Sequence, residues 1–285
     1  MTALWRGMDH ETLTREYSPS SMLDHPIDVW IARYAAESAA ARDALAARAH
    51  LGLPYGPGPA EVLDYFPADG PAGRPVLVFI HGGYWQALGR GDSAFFAPAM
   101  TAAGVDCVAL DYTLAPHARM DGIVDEVRRA LLWLTDHASE FGGNGRRLVI
   151  AGHSAGAHLC AMMLASDWQG KAPGIAGAVL IGGVFELEPI RLTYVNEALG
   201  MDVAETARNS PARLARRLHC PLALCWGEHD TPEFRRQSRE MAALWGADDA
   251  WEQQGRHHFD SPLELGLPGT RLFETARRMA LASGD

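Results

Sequence analysis

The stretch that most restricts this chain is Leu148 to Ala165, which reads LVIAGHSAGAHLCAMMLA. A short apolar, β-branched run halts at a glycine, and a run of good helix formers starts almost at once. Gly152-His153-Ser154-Ala155-Gly156 stands between them. The chain must therefore swing from strand to helix inside a very tight turn. Side chains flanking such a turn would collide, and Gly152 and Gly156 carry none. Ser154 is pushed outward at the end of the strand, and the unpaired N–H groups of the new helix point at the same spot. GxSxG has meaning only in this strand–turn–helix context, and here the context is present.

The rest of the chain repeats the alternation. Glu61 to Tyr65, Pro75 to Ile80, Val105 to Leu110, Leu148 to Ala151, Ala176 to Ile181 and Pro221 to Trp226 read as strands, several apolar throughout as if buried on both faces. Helices are expected over Asp28 to Ala49, Asp92 to Ala103, Asp121 to Glu140, Ala155 to Ala165 and Arg271 to Ala282. Gly142-Gly143 should end the third of these. The Gly- and Pro-dense stretch from His50 to Pro59 reads as a loop. Strands alternating with helices imply an α/β fold with a mostly parallel central sheet flanked by helices. Residues 1–58 form a helical arm with too few large apolar side chains for a core of its own, so 1–285 is read as one domain. Residues 183–218 break the rhythm and read as a small cap insertion over the C-terminal edge of the sheet.

A serine at its ordinary pKa is a weak nucleophile and needs a base oriented by an acid. On an α/β sheet of this kind the chain order is Ser, Asp/Glu, His. The strand Pro221 to Trp226 is followed by Gly227-Glu228-His229-Asp230, which offers Asp230 as the acid and Glu228 as its competitor. The base belongs on a later loop, before the closing helix. Arg256-His257-His258-Phe259-Asp260 is that loop, and position alone does not separate the two histidines. An attacked carbonyl also needs preset N–H donors for its oxyanion. Ala155, directly after Ser154, supplies one. The loop His81-Gly82-Gly83-Tyr84-Trp85 supplies Gly83 and Tyr84, with Gly82 as the fallback, because glycines let the backbone approach a substrate closely. His81 reads as a brace for that loop and Trp85 as packing.

Composition excludes several other roles. Lys+Arg number 25 and Asp+Glu 35, a net charge of −10 that disfavours nucleic acid and anionic membrane surfaces as partners. No apolar run approaches the roughly 18 residues of a membrane span. Met1 to His10 lacks the apolar stretch of a secretory signal. Cys107, Cys160, Cys220 and Cys225 form no CxxC pair, so reduced thiols and a cytoplasmic setting are expected. HExxH, GxxxxGK[ST] and GxGxxG are all missing, and no metal or cofactor is expected.

With these residues in view, the chain resembles the α/β-hydrolase superfamily and, within it, the kynurenine formamidase (arylformamidase) branch, close to the hormone-sensitive-lipase-like esterases. HGGYW at His81 to Trp85 is similar to that branch's HGGxW, where the esterases usually carry HGGG. Asp111-Tyr112-Thr113-Leu114-Ala115-Pro116 resembles the family's Y-x-L-A-P segment, and GHSAGAH at Gly152 to His158 its serine motif. His258-Phe259-Asp260 resembles the segment in which the family's histidine precedes an aromatic or apolar residue, which favours His258 over His257. The resemblance runs from Glu61 onward and implies an α/β-hydrolase fold with catalytic Ser154, Asp230 and His258 and an oxyanion hole at Gly83, Tyr84 and Ala155. It implies cleavage of a small aromatic formamide, N-formyl-kynurenine to kynurenine and formate. The first alternative is a carboxylesterase of short acyl or aryl esters, and a more remote one is a non-catalytic binding protein. Tyr84, Trp85, Phe185 and Tyr194 are candidates to line the leaving-group side. A homodimer is compatible with the sequence, which does not fix the oligomeric state.

Overall fold

The β-branched runs end up side by side in one twisted sheet. The computed structural model describes residues 4–282, so the first three residues of the arm lie outside the description. Among the described residues, eight strands pair in a single sheet: β1 (His50–Pro54), β2 (Val62–Phe66), β3 (Arg74–Ile80), β4 (Asp106–Leu110), β5 (Gly143–His153), β6 (Ile175–Ile181), β7 (Leu222–Gly227) and β8 (Asp249–Gln253). Their spatial order is β1-β2-β4-β3-β5-β6-β7-β8. β1 and β2 run antiparallel to their neighbours, and β4, β3 and β5 to β8 are mutually parallel. The expected parallel α/β architecture is therefore the observed one.

Both faces of the sheet are covered, which explains the unbroken apolar strands. Val76, Val78 and Ile80 of β3 face one apolar layer, together with Leu148 and Ile150 of β5. Leu77 and Phe79 face the other, with Val149 and Ala151. Each such side chain contributes roughly 1.5–3 kcal/mol by leaving water. The helices that cover the sheet come from between the strands and from the segments before β1 and after β8. In chain order they are α1 (His10–Glu16), α2 (Asp28–Leu45), α3 (Ala97–Ala102), α4 (Met120–His137), α5 (Ala155–Ala165), α6 (Glu188–Arg191), α7 (Asn196–Leu199), α8 (Val203–Arg208), α9 (Pro232–Trp245) and α10 (Arg271–Leu281). α4 and α5 cover the first face, whereas α2, α3 and α10 cover the second. No helix among the described residues is long and apolar enough to cross a membrane.

Several elements differ from expectation for identifiable reasons. The helix expected from Asp92 forms only over Ala97–Ala102. Pro98 has no N–H and a fixed φ, so it suits a first turn and would break an interior one. His50–Pro54 is an edge strand rather than a loop, with an irregular register around Gly52. The buried Asp64 carboxylate takes the Gly52 N–H at 2.9 Å at that point, and Pro54 is tolerated at the end of an edge strand. α1 and the half-exposed β8 carry no strong pattern, whereas α9 lies between Thr231-Pro232 and Gly246 and has an apolar stripe of Phe234, Met241 and Trp245 that the expected helices omit. Residues 183–218 hold α6 to α8, three short helices in place of strands. All four cysteines are free, and burial pushes the Cys107 and Cys225 thiols well above their ordinary range.

Candidate active site

The turn between β5 and α5 is as tight as its glycines imply. A Cβ on Gly152 would lie 2.3 Å from the Gly156 carbonyl oxygen, and one on Gly156 would lie 1.9 Å from that of Ile80. Ser154 sits between them at φ 56°, ψ −116°, a conformation that side-chain-bearing residues avoid at a cost of about 1–3 kcal/mol. Its N–H donates to the Ile181 carbonyl at 2.8 Å, which ties the turn to β6. Its side chain lines a cavity of about 250 Å³.

Asp230 and His258 meet beside it. His258 Nδ1 lies 2.9 Å from Asp230 Oδ2, and both residues are buried. The other Asp230 oxygen accepts the Thr231 N–H at 2.9 Å, so the carboxylate is held from two sides. A Cβ on Gly182, at the end of β6, would come within 3.4 Å of Asp230 Oδ2 and 3.5 Å of His258 Nδ1. Those are ordinary contact distances, and what favours glycine at 182 is its φ of 50°. The edge of the His258 ring packs on Phe234, centroids 4.8 Å apart. His258 and Ser154 line the same cavity. Among the described residues their side chains share no hydrogen bond, a looseness common in ligand-free hydrolytic sites.

The competitors are placed elsewhere. Glu228 Oε2 accepts the Gly255 N–H at 2.8 Å. His257 accepts the Phe259 N–H at its own Nδ1, and its ring meets Trp30 edge-on at 4.5 Å. Neither lines the cavity.

Gly83, Tyr84 and Trp85 take φ of 92°, 52° and 59°, three left-handed residues in succession. A Cβ on Gly83 would strike the Ala87 carbonyl at 2.2 Å, so position 83 requires glycine. Such a run turns backbone N–H groups toward one side. Among the described residues, no protein acceptor takes the N–H of Gly83, Tyr84 or Ala155. Gly82 packs against the turn itself, where a Cβ would lie 3.2 Å from Ser154 Cβ. His81 lies beneath the loop, stacked on Tyr112 at 4.3 Å, its Nε2 3.5 Å from Asp111 Oδ1. Burial drives the neighbouring His153 imidazole well below its ordinary pKa, and the nearby His258 lowers it further.

Of the four aromatic residues expected around the leaving group, Tyr84 and Tyr194 line the cavity. Trp85 and Phe185 do not: both are wholly enclosed in the apolar layer. What the sequence did not reveal is the opposite wall, built by Ser18, Pro19, Ser20, Ile27, Ile31 and Tyr34 of the N-terminal arm. No lining residue carries a carboxylate, ammonium or guanidinium group. Gly182, next to Gly183 after an apolar strand, was the one visible signal left unused.

A family model described as alpha/beta hydrolase fold matches residues 77–230. A kynurenine formamidase from Salmo salar is 36% identical over 255 residues, covering 83% of each chain. One from Danio rerio is 37% identical over 247 residues with the same coverage. Among solved structures, a Silicibacter protein provisionally described as a thioesterase superposes with a TM-score of 0.84 at 28% identity, covering 95% of this chain and 99% of that one.

Proposed function

The chain belongs to the alpha/beta hydrolase family, in its kynurenine formamidase branch, and on that premise we propose that it cleaves small aryl formamides, N-formyl-kynurenine among them, through Ser154. The observation that carries this reading is one cavity lined by both the strained Ser154 and the buried His258, with His258 held by Asp230 at 2.9 Å.

In the proposed reaction His258 takes the Ser154 proton as the hydroxyl oxygen attacks the formyl carbon. Asp230 fixes the imidazole through Nδ1 and stabilises its cationic form. The carbonyl oxygen becomes an oxyanion and draws on the N–H groups of Gly83, Tyr84 and Ala155, each worth roughly 3 kcal/mol by the usual effect of deleting one donor. His258 then protonates the departing aryl amine nitrogen, the C–N bond breaks, and formyl-serine remains. Water, deprotonated by His258, releases formate. The apolar lining of Ile27, Ile31, Leu88 and Phe259 suits an aromatic ring. No metal or cofactor enters these steps.

The same groups would also cleave a short-chain ester, because they act on the carbonyl and not on the leaving group. Turnover of N-formyl-kynurenine set against p-nitrophenyl acetate separates the two readings. We expect the formamide to have the higher kcat/KM. A strong bias to the ester overturns the formamidase reading in favour of a carboxylesterase. Failure of a fluorophosphonate to label Ser154 overturns both and returns the chain to a binding role.

A further inference from the structure

The N-terminal arm touches the three loops that carry the proposed base, acid and oxyanion groups, each time through a hydroxyl and a main-chain carbonyl. Tyr34 of α2 donates its phenol to the carbonyl of Phe259, the residue after His258. Thr231, the residue after Asp230, donates its hydroxyl to the Glu16 carbonyl at the end of α1, 2.7 Å away. Tyr84 of the oxyanion loop donates to the Tyr17 carbonyl at 2.6 Å. Tyr34 and Thr231 are buried and Tyr84 is half-buried, so little water competes for these bonds.

The arm is also fixed independently of these three contacts. The Tyr17 phenol donates to Glu233 Oε2 at 2.7 Å and accepts from Gln237 Nε2 at 2.9 Å. Arg42 on α2 pairs with the buried Asp64 of β2 at 3.0 Å, and Ser38 Oγ accepts the Ala94 N–H at 3.0 Å. Loss of one tether hydroxyl therefore leaves the arm in place and frees only the loop.

We propose that Tyr34, Thr231 and Tyr84 are positioning residues, through which the N-terminal arm holds the base, acid and oxyanion loops in register with Ser154. Tyr34 acts on His258 through the Phe259 carbonyl. Thr231 acts on Asp230, whose second oxygen its own N–H already holds. Tyr84 acts through the left-handed backbone of its own loop. The same arm supplies the cavity wall formed by Ser18, Ile27 and Ile31, so a substrate pressing on that wall presses on the element that aligns the chemistry. Binding contacts made away from the scissile bond can in this way be expressed in kcat.

The inference rests on Ser154, His258 and Asp230 being the reacting set, and its test does not depend on the substrate assigned above. Tyr34→Phe, Thr231→Val, Thr231→Ser and Tyr84→Phe are compared with native protein in three readouts: the rate of Ser154 labelling by a small fluorophosphonate, p-nitrophenyl acetate turnover against pH, and Tm. The first two removals should lower kcat and labelling together by about tenfold, with KM within about twofold, because small misplacements of reacting groups are costly. They should also displace the limb of the pH profile that reports the base. Tyr84→Phe should lower kcat without moving that limb, and Thr231→Ser, which keeps the hydroxyl, should restore native rates. Glu37→Ala, on the exposed face of α2, serves as the control.

Native kcat and labelling in Tyr34→Phe and Thr231→Val, with only Tm reduced, would overturn the proposal and leave the tethers as structural bonds. Thr231 also caps α9, so if Thr231→Val fails to fold, Tyr34→Phe decides the matter. A native protein that labels but ignores N-formyl-kynurenine sinks the substrate assignment alone, and the variants still decide this one. A native protein that resists labelling overturns both.

Discussion

The rim of the sheet and the roof above it make an instructive contrast. The rim comprises the Ser154 turn, the Gly83–Trp85 loop and the Asp230–His258 pair, all at strand ends. Its geometry is set by steric rules that act over a few residues: a Cβ at 152, 156 or 83 would strike backbone at 2.3 Å or less. The roof consists of the arm residues that line the cavity together with Tyr194. Tyr34 meets Phe259 across 225 residues of sequence, and Ser18 meets Tyr194 across 176. Such contacts follow no local rule. On the proposed function, the rim attacks the bond and the roof limits what may lie against it.

Five substitutions would break or sharpen that contrast. Ser154→Ala is expected to lower turnover on the order of 10⁴- to 10⁶-fold and to leave Tm close to native, since it deletes one small polar atom. Residual turnover near native would move the nucleophile elsewhere. His258→Ala should cost about 10⁴-fold in kcat, whereas His257→Ala, which loses its packing on Trp30 and the bond from the Phe259 N–H, should stay within about tenfold. The reverse pattern would shift the base by one residue.

Changes in the roof should act differently. Ile31→Trp intrudes into the cavity wall and should raise KM for an aromatic formamide by about tenfold or more, with fluorophosphonate labelling nearly unchanged. An equal loss in both measurements would erase the distinction between roof and rim. The smallest effect concerns acid stability. Burial lowers the His158 imidazole from 6.5 to about 4, against the opposing pull of the Asn209 carbonyl. Unfolded, the same ring binds a proton below about pH 6.5, so the unfolded chain takes up more protons there and stability falls from about pH 6.5 to about pH 4. For His158 the loss reaches on the order of 3 kcal/mol. His158→Gln, which can still donate to Asn209, should flatten that part of a Tm-against-pH curve, and an unchanged curve would reassign the acid sensitivity to His153 or elsewhere.

The same division explains how much was legible in the sequence. Apolar runs such as Val76–Ile80 declared buried strands because both faces are covered, and Gly142, at φ 83°, closed its helical stretch as expected. Glycines marked the rim because no other residue fits there. β1 was missed because its register is set by Asp64, a side chain on the neighbouring strand. β8 was missed because an edge strand that reads Asp-Ala-Trp-Glu-Gln shows too little alternation. Position alone left His257 and His258 equal; what separates them in space is that Asp230 meets one ring and Trp30 the other. The arm as a cavity wall had no signal at all. Ile31 and Tyr34 are ordinary for a helix, and the wall they form with Ser18 and Ile27 exists only once chain distant in sequence has come to lie beneath them.

The bond from Tyr34 to Phe259 has a further consequence for biosynthesis. Tyr34 precedes Phe259 by 225 residues, so the tyrosine leaves the ribosome well before its partner. At about 5–20 residues per second, tens of seconds separate the two. Ser154 emerges in that interval ahead of His258, so on the proposed mechanism a nascent chain carries the serine without its base, and hydrolysis waits for His258.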